Sequence, residues 1–551
     1  MRYGMLKLAL ATIACLSAYS FAQLPTIKVT TKNNQEVNTT CTGMQMMGMC
    51  MGTQSMNYYS ITNFELNDPN DSRNNINLTP EPQGESDSIR VRGNSTANNN
   101  KKPYRIKFDK KQGLFGKTAA KSWVLLANFY DHTFILNAMA FELGKRLGLA
   151  FTPTYRYVDV YINNSYKGVY QLTEQIQVNP GRVDIDNTRG WLVEFDYHDA
   201  EADQIKFNAA GGNLSMATRI RSPEVESNFT VNNPAISFVV SEVNALFNAM
   251  AANGFPTNGY RDLLDLESWV RYVLIQRFMD NFDFNNKAMA SGTAVNGSNV
   301  AEPGSNYAYK DNGARIHAGP LWDFDLAAGV HPTTSFPKHY TDTDATRTGI
   351  KPMHPFYIKL WDDPVFIVKL KKIWSNYKCH FEAMPAIMDS LGNVLKGRAQ
   401  ANFAAYSGGS NDTRPNNESS YLGEITKLKN WWNSRITSIN TQINALSANA
   451  SDVMQSGSDG NNHAANCLGT SPIMLPQIAS SNAISTVKNG IELQAEKTAR
   501  IEVYNLGGKL EKTMNFASGV HSVSLNDMPK GMYIVRVSFG TEKRILRLPV
   551  R

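Results

Sequence analysis

The chain is poor in cysteine and in charge for its size, with five Cys in 551 residues and 19% Asp, Glu, Lys and Arg. So few cysteines exclude a small scaffold held together by dense disulfides. The 55 basic and 48 acidic residues leave a formal net charge of only +7, and like charges never gather in a block of five or six. A polyelectrolyte arm for nucleic acid is therefore not expected, although anionic ligands stay open. With 42% hydrophobic residues and a mean hydropathy of −0.35, the composition is that of an ordinary globular chain. It is not that of a disordered, collagenous or multi-span membrane protein. The common catalytic signatures are also missing: there is no His-Glu-x-x-His, no Gly-x-Ser-x-Gly and no Cys-x-x-Cys. Gly116-Lys117-Thr118 resembles the tail of a phosphate loop, but Lys111 stands where the leading Gly would have to be, which rules out a Walker motif.

What the chain does contain begins with an export signal over residues 1–22. Arg2 and Lys7 precede an apolar run from Leu8 to Leu16, and Ser20 and Ala22 supply the small residues that define cleavage after Ala22. The alternative, a lipoprotein signal ending at Cys15, has Thr12 where a Leu would be usual. After removal no membrane span is expected, and Cys41, Cys50, Cys379 and Cys467 remain. An even number in an oxidising compartment allows three pairings, of which Cys41–Cys50 with Cys379–Cys467 is the simplest. The methionines around Cys41 and Cys50 could hold a soft metal, but a disulfide-closed apolar loop explains them better.

Domain organisation follows from changes in periodicity. From Leu24 to about Asn187 short alternating or β-branched runs read as strands, among them Ser88–Arg92, Tyr104–Phe108 and Val158–Ile162. One helix interrupts them, from about Thr133 to Leu147, with Asp131 as its N-cap. From about Pro234 to Leu446 the pattern is mostly helical, with helices over Ile236–Met250, Leu266–Met279, Pro364–Tyr377 and Ser420–Leu446. Strands first and helices second predict an α+β, two-lobed body over residues 23–448. Residues 449–482 turn to Ser, Asn, Gly, Asp and Pro and read as a polar linker. Residues 483–551 return to short alternating strands and predict a small C-terminal β-sandwich.

The strongest chemical signal is Trp322-Asp323-Phe324-Asp325-Leu326-Ala327-Ala328-Gly329. In a strand-like segment Asp323 and Asp325 would share a face and could meet one hard cation. Upstream, Asp280-Asn281-Phe282-Asp283-Phe284-Asn285-Asn286 closes an apolar helix. An Asp, a nearby Asn and a later acidic motif is the order used in phosphoryl transfer, where the first Asp orients the acceptor hydroxyl and the others hold magnesium. The plainer reading is that these residues cap helix ends and turns. Arg92, Lys101, Lys102, Arg105 and Lys107 lie around the early strands, and Glu174 ends a hairpin, so a Lys held by a Glu is available for a triphosphate. Exposed lysines on an edge strand would serve only solvation.

These residues resemble the CotH (spore-coat protein H) kinase family. Arg92-Gly93-Asn94-Ser95-Thr96, Lys102–Phe108, Trp123–Asn128 with Asp131, and Gly168-Val169-Tyr170 leading to Glu174 look like its successive motifs, continued in order by Asn281–Asn286 and Trp322–Gly329. The resemblance covers roughly Leu24 to Leu446. It implies an atypical protein-kinase-like fold and phosphorylation of exported or cell-surface proteins that depends on ATP and a divalent metal, Mg or Mn. Carried onto this chain, it implies Asp283 as the catalytic Asp, Asn286 and Asp323 as metal ligands with Asp325 assisting, and Lys107 or else Lys102 on phosphate, with Arg92 and Glu174 in the nucleotide site. The three-residue interval from Asp283 to Asn286 departs from the family's usual spacing of about five. Asp280 with Asn285 keeps that spacing, so either Asp is a candidate for catalysis.

The ending resembles the C-terminal sorting domains of type IX secretion substrates, through Ile501–Lys509, Met528–Val537 and a basic terminus. That resemblance implies the secretion machinery as a partner and a secreted or cell-surface location. Two other readings remain: an adhesin or scaffold on a degenerate kinase fold, and a polysaccharide-associated protein whose last domain binds glycan.

Overall fold

The computed structural model describes residues 23–42, 45–46, 49–50, 53–79, 86–93, 95–196, 204–225, 229–284, 303–330, 340, 349–406, 414–447, 483–487, 490–495, 498–516, 519–525, 527–539 and 542–550. The expected signal peptide, the linker, Asn285, Asn286 and Cys467 lie outside these residues. The chain falls into two compact units, 1–473 and 474–551.

In the first unit, alternating sequence produces strands with one apolar face. They are β1 (Thr26–Thr31), β2 (Thr40–Thr42), β3 (Gln45–Met46), β4 (Met49–Cys50), β5 (Thr53–Ser55), β6 (Tyr59–Asn67), β7 (Ile76–Leu78), β8 (Ser88–Val91), β9 (Tyr104–Gln112) and β10 (Ala120–Leu126). Helix α1 (Leu136–Arg146) follows, then β11 (Tyr155–Ile162) and β12 (Ser165–Glu174). Strands β2 and β5 pair around the β3–β4 hairpin, where Cys41 stands opposite Gln54 and Cys50 opposite Gln45. The large sheet runs β1-β11-β12-β10-β9-β8-β6-β7, and a further β1–β6 pairing closes it on itself. Closure removes open edges and turns the apolar faces inward. Phe64, Ile106, Trp123, Leu125, Val158 and Val160 fill that interior.

Helix α1 begins three residues later than expected, because residues 131–135 form a turn with Phe134 at φ 63°. Asp131 still serves the helix start, since its carboxylate accepts from the Leu136 and Thr133 N–H groups at 2.8 Å each.

The second half is mostly helical from Ser237 on, with strands before it and two short strands within it. It contributes β13 (Trp191–Phe195), β14 (Ile205–Gly211), β15 (Leu214–Ser222), α2 (Ser237–Ala251), α3 (Leu266–Phe278), β16 (Asn306–Lys310), β17 (Ile316–Ala318), α4 (Pro355–Trp361), α5 (Pro364–Ala404) and α6 (Glu418–Ala445). The five strands form an antiparallel sheet in the order β14-β15-β13-β16-β17. All five residues of β13 are buried, so the period-two alternation that betrays a strand is missing there. Helix α5 runs 27 residues past its expected end at Tyr377, through Pro385, because Phe381, Met384, Met388, Leu391 and Leu395 continue the buried stripe. Cys379 on this helix is disulfide-bonded. The Trp432 indole of α6 donates to Phe381 O at 2.8 Å and locks α6 onto α5.

Helix α5 also docks on the large sheet at β12. Asn402 accepts from Val169 N at 3.0 Å, beside Gly168 at φ +95°, where a Cβ would lie 2.3 Å from the Asn402 oxygen. Only a glycine permits that approach.

In the C-terminal unit β18 (Ala483–Val487), β19 (Gly490–Ala495), β20 (Ala499–Asn505), β21 (Leu510–Phe516), β22 (Gly519–Ser524), β23 (Gly531–Phe539) and β24 (Glu542–Val550) form two antiparallel sheets, β18-β19-β22 and β21-β20-β23-β24. Ile491, Leu493 and Val523 from the first and Ile501, Val503, Val535 and Val537 from the second make one core.

The start of α5 generates a stability prediction. Asp363 is fully buried, caps the helix through Val365 N at 2.9 Å, takes both arms of Arg261 at 2.8 and 2.6 Å, and accepts from the Tyr260 hydroxyl. Asp363→Ala removes the cap and strands a guanidinium, so urea unfolding should show a loss of about 3–5 kcal/mol, with Asp363→Asn losing less.

Candidate active site

The site is built where two loop segments lie side by side. Helix α3 ends at Phe278, and the buried Arg435 of α6 donates to the carbonyls of Phe278 at 3.0 Å and Arg277 at 2.5 Å. A cation on free carbonyls at a helix C-terminus stabilises that end and fixes where the following residues emerge. They emerge against residues 323–328. Phe282 N donates to Leu326 O at 3.3 Å, Ala328 N to Met279 O at 2.7 Å, and the Asn281 amide to Asp323 O at 3.2 Å. From the other side Asn137 of α1 accepts from Phe324 N at 2.9 Å.

The Asp323–Asp325 segment is therefore not a strand, and the expectation that both carboxylates share a strand face fails. Asp323 sits at φ 62°, in the left-handed region, so the chain turns at that residue. The two carboxylates nevertheless meet, through a hydrogen bond between their side chains. Asp323 is half-buried and Asp325 buried.

Asp283 and Asp280 have different surroundings. Asp280 is buried just past the end of α3, at φ 49°, with Arg277 4.0 Å away. Asp283 stands with Asp323 and Asp196; although the residue is partly exposed, its carboxyl group lies among protein atoms. Burial, then the charges of Asp323 and Asp196, push its proton affinity well above the usual carboxylate range. Asp325 is raised in the same way, by burial first and then by Asp323, Asp283 and Asp131. The structure thus brings together Asp283, Asp323 and Asp325 and leaves Asp280 behind them.

The expected cations and Glu174 scatter. Arg92 reaches the site, its guanidinium 5.4 Å from the ring centroid of Trp322. Lys107 is exposed on β9. Lys102 donates to Ala97 O at 2.9 Å and Asn99 O at 3.3 Å, holding the turn at residues 95–98. Lys101 is buried on the carbonyls of Ala127 and Val169. Glu174 accepts from Thr154 N and Oγ1, both at 2.7 Å, and the lysine charges it meets are those of Lys117 and Lys145. No hydrogen bond or ion pair joins Lys107, Lys102 or Glu174 to the three aspartates.

Several residues at the site escaped the sequence reading. Asp196, just past β13, pairs with Arg219 at 2.7 Å and accepts from Ser305 N at 3.2 Å. Ser305 Oγ donates to Asp323 at 3.3 Å, and the Asn306 amide donates to Asp283 O at 3.4 Å. Beside them Glu194 lies between Arg219 and Arg221, with the Tyr307 hydroxyl donating to it at 2.7 Å. The available signal was two acids inside the apolar run Trp191–Asp196, an arrangement that a buried strand tolerates only with partners.

Three hard oxygen donors, of which Asp323 raises the proton affinity of both Asp283 and Asp325, fit a divalent cation in type and in charge. Among the described residues, however, no group of three or more His, Cys, Asp or Glu is assembled to hold a metal ion. Asn286, the other expected ligand, lies outside the described residues.

The chain is thus a mixed α+β protein in which carboxylates from the loop after α3 and from a later acidic loop converge. Residues 89–439 match the family model described as CotH kinase protein, and residues 485–550 match the secretion system C-terminal sorting domain. The first match spans more than half of the chain, which therefore belongs to the CotH kinase family. The second marks it for secretion or the cell surface through the type IX system. No curated protein matches the chain.

The raised carboxylates predict a pH dependence without metal. A carboxyl group whose folded pKa exceeds its unfolded value gives stability that is full below the unfolded value, near 4, and lost as pH rises through the folded value. In EDTA, urea stability should fall as pH rises from about 4 to 8. Asp325→Asn should flatten that fall, and added magnesium should raise the wild-type melting temperature at neutral pH.

Proposed function

We propose that this protein is an exported kinase that transfers the γ-phosphoryl group of ATP to a hydroxyl of an exported or cell-surface protein. The observation that carries this reading is the convergence of Asp283 with Asp323 and Asp325. Asp283 is the group assigned to accept the proton of the acceptor hydroxyl, since it faces the acidic loop and Asp280 does not. Asp323, Asp325 and Asn286 would hold the divalent cation, which when bound neutralises phosphate charge. Ser305 orients the Asp323 carboxylate, and Asn137 fixes the loop that carries it. Arg92, on the face of Trp322, is assigned to a phosphate oxygen. Lys107 and Lys102, the family's candidates for phosphate contact, would have to act from the barrel side, and Glu174 lines a separate cavity.

In this reading residues 1–22 take the chain across the inner membrane, the two-lobed body at 23–448 carries the chemistry, and the β-sandwich at 483–551 addresses it across the outer membrane.

Three outcomes follow. Asp323→Asn should lower phosphoryl transfer from labelled ATP by at least about 100-fold while circular dichroism stays unchanged; activity near wild type would remove Asp323 from the metal site. Asp283→Ala should reduce turnover far more than Asp280→Ala, and the reverse order would move the catalytic role to Asp280. Deleting residues 483–551 should leave ATP binding intact but trap the protein in the periplasm of the native host, as cell fractionation would reveal.

A further inference from the structure

A cavity of about 450 Å³ lies between the β9–β10 connection, the end of α1 and the segment after β12, lined by Lys117, Lys145, Thr152, Thr154, Glu174 and Arg182 among others. Three cations face one carboxylate, and both oxygens of that carboxylate are taken by Thr154.

Arg182 is the telling residue. It is 3% exposed, and its guanidinium stands 5.0 Å from the ring centroid of Trp123. One arm is satisfied, because Nη1 donates to Gln175 O and Gln177 Oε1 at 3.1 Å each. Its Nε and Nη2 have no acceptor among the described residues, and the Thr152 hydroxyl, 7% exposed, has no partner among them either. Buried donors of a charged group are seldom left without an acceptor. The Lys117 ammonium group makes no hydrogen bond or ion pair among the described residues, and Lys145 has Glu142 at 3.9 Å. The walls are held close at Gly181, φ +73°, where a Cβ would stand 2.3 Å from Thr118 Oγ1.

None of the three aspartates lines the cavity. Asn137 of α1 meets Phe324, whereas Gly144, about 10 Å further along the helix, packs on Thr152 and Leu321. The surplus of charge has the opposite sign in the two places. The aspartates repel a phosphate unless a cation intervenes, and the cavity attracts one directly.

We propose that this cavity is a second ligand site, which binds a small phosphate-bearing anion without a metal ion, through Arg182, Lys117 and the Thr152 hydroxyl. The phosphate could belong to a nucleotide or to a non-nucleotide phosphate compound, and the planar fork of Arg182 suits either.

The test is calorimetric titration of the full chain with pyrophosphate in EDTA. Saturable binding is expected, weakened about tenfold or more by Arg182→Gln and by Lys117→Gln and unchanged in Asp323→Asn. Lys117 is on a partly exposed loop, so that variant carries the test if Arg182→Gln fails to fold. Absence of saturable binding would overturn the proposal, as would loss in Asp323→Asn with retention in Lys117→Gln. Competition by ATP in EDTA would identify a nucleotide as the phosphate source; lack of competition would identify a non-nucleotide phosphate compound, and both results keep the cavity as the site. None of these readouts depends on phosphoryl transfer, so failure of the kinase reading would appear separately.

Discussion

The site depends on one packing constraint: the loop after α3 and the acidic loop 42 residues later must lie edge to edge. Three backbone or amide hydrogen bonds join them, Arg435 fixes the helix end from which the first emerges, and Asn137 holds the second against α1. Each of these contacts brings a different element to the same few residues. The long α5–α6 pair, the closed sheet beneath α1 and the five-stranded sheet all support this one junction. That explains why so much buried polar structure surrounds it.

Charge at the junction is divided into two layers. Behind it, Glu194 and Asp196 are matched by Arg219 and Arg221, a compensated pairing typical of buried ions. In front, Asp283 and Asp325 have no cation paired with them among the described residues, and the charge of Asp323 raises the proton affinity of both. Keeping carboxylates uncompensated costs stability, and proteins tolerate such strain mainly where a ligand relieves it. The cationic cavity at the other end of α1 has the same character with the sign reversed.

The order of the chemistry-bearing motifs was legible along the chain, as were the strand runs of the closed sheet, helices α1 to α3, α6 and the start of α5, and the change to a second small β unit. Alternation and capping residues are local signals, and the apolar stripes that produce them survive into the fold. Strand β13 was not legible, because a strand buried on both faces has no alternation, and α5 extends past its expected end at Tyr377 through Pro385. Asp323 and Asp325 were expected to meet, and do so for a different geometric reason. A left-handed turn, not a shared strand face, brings them together.

The sequence by itself therefore determined which residues could carry the chemistry and in what order, since residue type and short-range pattern are local properties. Only the tertiary structure decided which of them meet. It set Asp283 beside Asp323 and left Asp280 behind them, brought Arg92 to the site and Glu174 to a distant cavity, and recruited Asp196 and Ser305 from segments with no motif of their own. Contacts across 18 to 42 residues are made by packing, and no local pattern in the chain encodes the partner on the other side.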